Sequence, residues 1–243
     1  MRKQEVKAGL LMKRLLGVLL VLLTIGISPA LATPNLIVDG SFESPIVPAT
    51  YNIYAFSEFA LGSSIDGVWN VVGGSASTVA IVSDTWTGAG VIAENAQNGV
   101  QSLDLTGNTD NGYANSVEQT VALTVGRSYQ LSFYVGTLYG GTSQDSSPVS
   151  LLLSVNGGPN TTYTNPNFTV GYVNWEPFST TFVASSASEA ITFTNASPNP
   201  ILYTGLDNVS LIALPEPSAM WAVAAIAGLL LPRWGRMVGH LRR

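Results

Sequence analysis

The stretch SVEQTVALTVGRSYQLSFYVG (116–136) constrains the fold more than any other part of the chain. Val117, Val121, Leu123 and Val125 fall at even spacing, and Tyr129, Leu131, Phe133 and Val135 follow on one face of a second run. A period of two places alternate side chains on opposite sides of an extended backbone, so each run reads as a half-buried strand. SLLLSVNGG reads as a buried strand entering a turn at Asn156, Gly157 and Gly158. FSTTFVAS, AITFTNAS and YTGLDNVSLIAL continue the pattern. Helical periodicity over ten or more residues occurs only at the two ends of the chain. Many short strands separated by Gly, Asn and Pro turns specify an all-β architecture, a jelly-roll β-sandwich.

The ends are set apart by charge. Of ten basic residues, five precede the first apolar run, four follow the last, and Arg127 is the one cation between Leu15 and Pro232. That interval carries fourteen of the fifteen acids, which leaves a body near −13 between two basic termini. So acidic a surface excludes nucleic acid and anionic lipid as partners of the body.

At the N-terminus, basic residues end at Arg14, LLGVLLVLLTIGI supplies an apolar core, and Ala30-Leu31-Ala32 forms a small-x-small site before Thr33. Residues 1–32 therefore read as a signal peptide. A retained helix is the alternative, which Pro29 and the cleavage site disfavour. Met12 offers a second start within the long basic region. At the C-terminus, sixteen uncharged residues separate Glu216 from Arg233. As a helix they would span roughly 24 Å, short of the ~30 Å hydrocarbon core. The trailing arginines place that end in the cytoplasm and the body on the far side.

Pro215-Glu216-Pro217, the apolar span and the basic residues Arg233, Arg236, Arg242 and Arg243 together resemble the PEP-CTERM sorting signal of Gram-negative bacteria. The resemblance covers 215–243. It implies an exosortase as processing partner, alongside signal peptidase, and a transient stay in the inner membrane through the C-terminal helix. The outer envelope or the exterior would be the destination.

The body, 33–214, is long enough for one domain with a sizeable core. It has no cysteine, so disulfides are unavailable and sheet packing must supply its stability. Trp69, Trp175 and Phe133 are assigned to that core. Four motifs occur in order: NLIVDGSFESP (35–45), NGVQSLDLTGN (98–108), VEQTVALTVGRSYQLSFYVG (117–136) and LDNVSL (206–211). They resemble the galactose-binding-like jelly-roll domains of domain-of-unknown-function family 642, which are related to carbohydrate-binding modules. One departure is local: Val68 separates Gly67 from Trp69, where that family has Gly-Trp directly. The resemblance implies one structural calcium shared by Glu43 and Asp207, with backbone oxygens near Ser41. Alternatively, both are strand-end carboxylates bonded to backbone amides.

Catalytic chemistry finds little support. The one histidine, His240, lies in the tail, so the body can build neither a Ser-His-Asp nor a Cys-His system. No nucleophile elbow or phosphate-binding loop is present, and a pair of glycosidase carboxylates cannot be chosen from sequence. Sugar binding needs aromatic faces for apolar pyranose faces and amides or carboxylates for hydroxyls. Trp86, Tyr139 and Tyr113 stand in turn-rich surroundings suited to that role, and Tyr54 is a further candidate. The expectation is a non-catalytic, exported binder of extracellular or cell-wall polysaccharide. A matrix or surface protein that binds other proteins is the alternative, and a hydrolase comes third.

Overall fold

The computed structural model describes residues 33–48, 53–74, 77–88, 94–107, 114–138, 148–198 and 203–215. The chain divides into two units, Met1–Pro34 and Asn35–Arg243, and the fold below is that of the second. The segment 1–32, expected to be a signal peptide, and all of the expected sorting tail after Pro215 lie outside the described residues. Among the described residues there is no helix long and apolar enough to cross a membrane.

Twelve strands are described: β1 (Phe56–Ala60), β2 (Ser64–Ile65), β3 (Trp69–Val72), β4 (Thr78–Ser83), β5 (Gln101–Asp104), β6 (Ser116–Ala122), β7 (Ser128–Leu138), β8 (Val149–Val155), β9 (Thr161–Asn165), β10 (Val173–Val183), β11 (Ser188–Asn195) and β12 (Thr204–Ala213). They form two six-stranded sheets, ordered β1-β4-β5-β12-β7-β10 and β2-β3-β6-β11-β8-β9. All pairings within them are antiparallel. The chain crosses repeatedly from one sheet to the other, and the two pack as the expected all-β sandwich.

The alternating runs supply the interior. Leu131, Phe133 and Val135 of β7, Ile191 and Phe193 of β11, and Val149 and Leu151 of β8 are fully buried between the sheets. Phe133 anchors an aromatic group, with ring centroids 5.0 Å from both Tyr163 and Phe193. Trp69 is also fully buried, 5.4 Å from Phe42 by centroid, and its Nε1 donates to the Asp39 carbonyl at 3.0 Å. The inserted Val68 is absorbed by a tight turn. Its amide donates to the Ile65 carbonyl at 3.0 Å, and Asp66 and Gly67 both take positive φ. Asn156 and Gly157 do the same between β8 and β9.

β12 departs from strict alternation. Leu206, Val209 and Leu211 are all buried, which a period of two does not allow. A bulge between Asp207 and Ser210 shifts the register against β7, with Asn208 at φ 50°. The extra residue turns the strand so that the apolar set stays inside. Asp207 is left on the other face.

Candidate functional site

The outer face of the β1-β4-β5-β12-β7-β10 sheet carries its own cluster: Ala80, Val82, Leu138, Val173 and Tyr203, with Phe56, Trp86 and Trp175 packed against it. This corrects the assignment of Trp175 to the core. On β10, Phe178 and Phe182 pack into the sandwich, and position 175 is out of phase with both. The indole therefore goes outward and is half-buried. It lies over two glycines: Trp175 pairs with Gly136 of β7, and Gly136 pairs with Gly205 of β12. A Cβ at Gly136 would come within 2.6 Å of the indole, and one at Gly205 within 2.8 Å. Glycine inside a strand marks such a close approach.

The connection from β4 to β5 supplies a strap, 94–101, which fastens at successive points across β10 and β12. The side chain of Asn95 brackets Val173, accepting from its amide at 3.1 Å and donating to its carbonyl at 3.3 Å. The Asn95 carbonyl accepts from Trp175 Nε1 at 2.7 Å. Next, the amides of Gln97 and Asn98 donate to Asp207 Oδ2 at 2.8 and 2.9 Å. The side chains of Gln97 and Asn98 exchange hydrogen bonds with Asn208. Finally, the amides of Val100 and Gln101 donate to Glu43 Oε1 at 2.8 and 3.0 Å. The Gln101 side chain bonds Phe42, Pro45 and Val47 backbone groups, tying the strap to the opening motif.

Glu43 and Asp207 thus meet on one segment, each bonded to backbone amides. Asp207 Oδ1 also accepts from the Asn208 amide at 2.6 Å, so N–H groups point at both of its oxygens. Three N–H groups take three of the roughly four lone-pair positions of that carboxylate, and calcium takes six to eight oxygen ligands. Asp207 is left with about one lone pair, on Oδ1, to offer a cation. Among the described residues no group of three acidic, histidine or cysteine side chains gathers to hold a metal. Burial pushes the Asp207 carboxyl up to about 7, against the lowering effect of its three amide donors.

Glu94, the first residue of the strap, turns its side chain inward and is 1% exposed. Its Oε1 is 2.5 Å from the Tyr203 hydroxyl and 2.8 Å from that of Ser102, and these two hydroxyls are 2.9 Å apart. Its Oε2 is buried and has no partner. Burial pushes the Glu94 carboxyl up to about 8, with Asp104 and Asp207 adding to the rise and the two hydroxyls opposing it. Asp104, nearly buried on the same face, accepts from the amide and hydroxyl of Thr106. Beyond Trp175, Tyr134 and Pro177 pair across β7 and β10 and, with Ser132, Ser179 and Asn208, line a shallow recess of about 500 Å³.

Of the aromatic candidates, Trp86 belongs to this face, its Nε1 donating to the Ile53 carbonyl at 3.1 Å. Tyr54 is exposed. Tyr113, Tyr139, Glu216, Pro217, Arg233, Arg236, Arg242 and Arg243 lie outside the described residues, and Pro215 is the last described residue. Trp175, Tyr203, Glu94 and Asp104 were not singled out for this face by the sequence. The phase of Trp175 against Phe178 and Phe182, with glycines inside YVGTL and YTGLDN, was the signal for it.

No curated protein matches the chain. Among solved structures it is similar to TmCBM61 in complex with β-1,4-galactotriose, at 14% identity and TM-score 0.45, over 75% of this chain and all of that one. It is similar to the CBM22-1 xylan-binding domain of Paenibacillus barcinonensis Xyn10C, at 18% identity and TM-score 0.40, over 66% of this chain and 94% of that one. It also matches an exo-β-1,3-galactanase from Phanerochaete chrysosporium at 21% identity and TM-score 0.35, covering 65% of this chain but 29% of the enzyme. A family model described as "Carbohydrate binding domain" matches residues 34–200, most of the chain, and the chain belongs to that family.

Proposed function

We propose that this is an exported, non-catalytic protein that binds polysaccharide of an extracellular matrix or cell wall through the outer face of the β1-β4-β5-β12-β7-β10 sheet. One observation carries the reading beyond the family assignment: the Trp175 indole is seated on Gly136 and Gly205, in a cluster that Trp86 shares. An indole held half-exposed and rigid offers an apolar surface to a pyranose at little entropic cost. Ser132, Ser179 and Asn208, which line the recess on the same face, supply acceptors and donors for sugar hydroxyls. The recess at Tyr134 and Pro177 continues the face, so an oligosaccharide rather than a single sugar suits it.

Binding of the full-length protein to β-1,4-galactotriose, xylan and neutral bacterial exopolysaccharide tests the proposal. Trp175→Ala and Trp86→Ala should each weaken retention at least several-fold while leaving the thermal transition cooperative. Equal binding by both variants would remove the face from the mechanism.

Export rests on the sequence: the cleavable N-terminal segment, and a tail resembling a sorting signal. Intact-mass measurement on protein from its native host should show a new C-terminus near Pro215–Pro217, with Glu216→Ala impairing that processing. A tail still present on mature protein in the inner membrane would make the body a tethered domain.

A further inference from the structure

We infer that Glu94 is held as a neutral carboxylic acid and is the positioning residue of the aromatic face, so that its ionisation loosens the strap and frees Trp175. The clause about the face rests on the reading of it as a glycan site. The state of Glu94 does not.

The count of protons carries the inference. Glu94 Oε1, Ser102 Oγ and Tyr203 Oη form a closed triangle with sides of 2.5, 2.8 and 2.9 Å. Three contacts need three protons, and two hydroxyls provide two. A protonated Glu94 supplies the third, and each oxygen then donates once and accepts once. An ionised Glu94 leaves one side of the triangle as two oxygens facing each other without a hydrogen.

The second oxygen agrees. Oε2 is buried without a partner, where a share of a full negative charge would meet neither donor nor water. In the acid, that oxygen is an uncharged carbonyl, which costs far less to bury unpaired. Among the described residues the surroundings offer no cation. The groups facing Glu94 are Ser102 and Asp104 from β5 and Tyr203 and Asp207 from the β12 side, and the ionisable ones among them are acids. Burial pushes the Tyr203 phenol well above its ordinary value, so it stays protonated as a donor.

Glu94 joins both indoles to the sheet. Its amide approaches the Trp86 carbonyl at 3.4 Å, and its side chain is fixed to Tyr203. Asn95, the next residue, holds Val173 and Trp175 Nε1. A charge at Glu94 would draw water toward Oε2 and lift this end of the strap. Asn95 and the indole it bonds would move with it. Glycan affinity would then fall above the midpoint, by at most about tenfold per pH unit, the limit for one proton.

Infrared difference spectra of the full-length protein between about pH 6 and about pH 10 read the acid directly, without glycan. A protonated-carboxyl band should be present at the lower pH, survive in Asp207→Asn, which leaves Glu94 to carry it, and vanish when Glu94→Gln is added to Asp207→Asn. Tryptophan fluorescence, taken as the difference from Trp175→Phe, should show a transition near the Glu94 value of about 8 that Glu94→Gln abolishes. Tyr203→Phe removes a donor that favours the anion, so it should move the midpoint upward. Identical spectra for wild type and Glu94→Gln, a fluorescence transition that persists in Glu94→Gln, or a midpoint unmoved by Tyr203→Phe would overturn the inference. If band and transition behave as expected while β-1,4-galactotriose, xylan and neutral exopolysaccharide all fail to bind, the proton-held strap stands and the glycan reading of the face falls.

Discussion

Trp175 and Gly136 stand opposite each other on β10 and β7, and the indole occupies the space that a side chain at position 136 would need. The absent Cβ is what allows a large aromatic to pack this closely over the sheet. Gly136→Ala would put a methyl 2.6 Å from indole Cζ3 and 2.8 Å from Val173 Cγ1. Position 136 needs no positive φ, so the backbone tolerates alanine and the effect is steric. Gly136→Ala should cost roughly 1–3 kcal/mol of stability through overpacking and tilt Trp175 out of its seat. Thermal melting and glycan binding, compared with Trp175→Ala, test this. Full binding by Gly136→Ala would show that the indole's seat is irrelevant.

Stability should fall from acid to alkaline pH. Glu94 and Asp207, raised to about 8 and about 7, keep protons in the folded state that the unfolded chain releases near the ordinary carboxylate values of 4.5 and 3.8. Between those limits the native state binds more protons, so stability declines as pH rises. Glu189 acts in the opposite sense. Burial raises its carboxyl, but hydroxyl and amide donors from Ser185 and Ser186 outweigh that and hold it below its usual range. Its contribution is present at neutral pH and is lost on acidification. The melting temperature should therefore be higher at about pH 5.5 than at about pH 9, and Glu94→Gln should flatten the slope. A melting temperature that climbs through this window would contradict both assignments.

The strap should depend on Glu43 without depending on metal. Val100 and Gln101 lose their shared acceptor in Glu43→Ala, which leaves two amides to find water or remain unpaired. A hydrogen bond to a charged group contributes about 1.5–3 kcal/mol. Glu43→Ala should lower the melting temperature and speed hydrogen exchange at 97–101. A chelator should leave the wild-type curve in place, because amides already take both lone pairs of Glu43 Oε1 and three of the roughly four of Asp207. Loss of stability in chelator, restored by added calcium, would instead support the shared ion that the sequence resemblance implies.

The sandwich could be read from β6, β7, β8 and β11 because a period of two over seven or more residues has one packed solution. Leu131, Phe133 and Val135 had to share a face. Residue type alone suggests a core position for Trp175, but its offset from Phe178 and Phe182 fixes the outer face. Glu94 lay beyond sequence reasoning for another reason. It sits in an irregular connection, and its partner Tyr203 is 109 residues away, a pairing no local pattern encodes. The motifs containing Glu43 and Asp207 were visible as a set. Their meeting on the start of a third motif, 98–101, and on Gln97 just before it depends on the strap closing over β12.

Charge selects among glycans. A row of paired residues crosses the sheet from Trp175 through Gly136, Gly205, Asp104 and Ala80 to Glu58, so two acids share the outer face with the indole. Asp207 joins them from the strap side, and the one cation between residues 33 and 215, Arg127, lies in the turn from β6 to β7. A polyuronate laid along this face would bring carboxylates against carboxylates with nothing to pair them. At about 0.01 M salt the Debye length is roughly 30 Å, so the whole face would repel such a chain; at about 1 M it is roughly 3 Å and the repulsion disappears. Neutral polysaccharide should therefore bind with little dependence on salt, whereas any binding of a polyuronate should strengthen as salt is added. Affinity electrophoresis at both ionic strengths, with chelator present, measures the two trends. Tight polyuronate binding at low salt that weakens as salt is added would place the ligand on some other, cationic surface and would remove this face as the binding site.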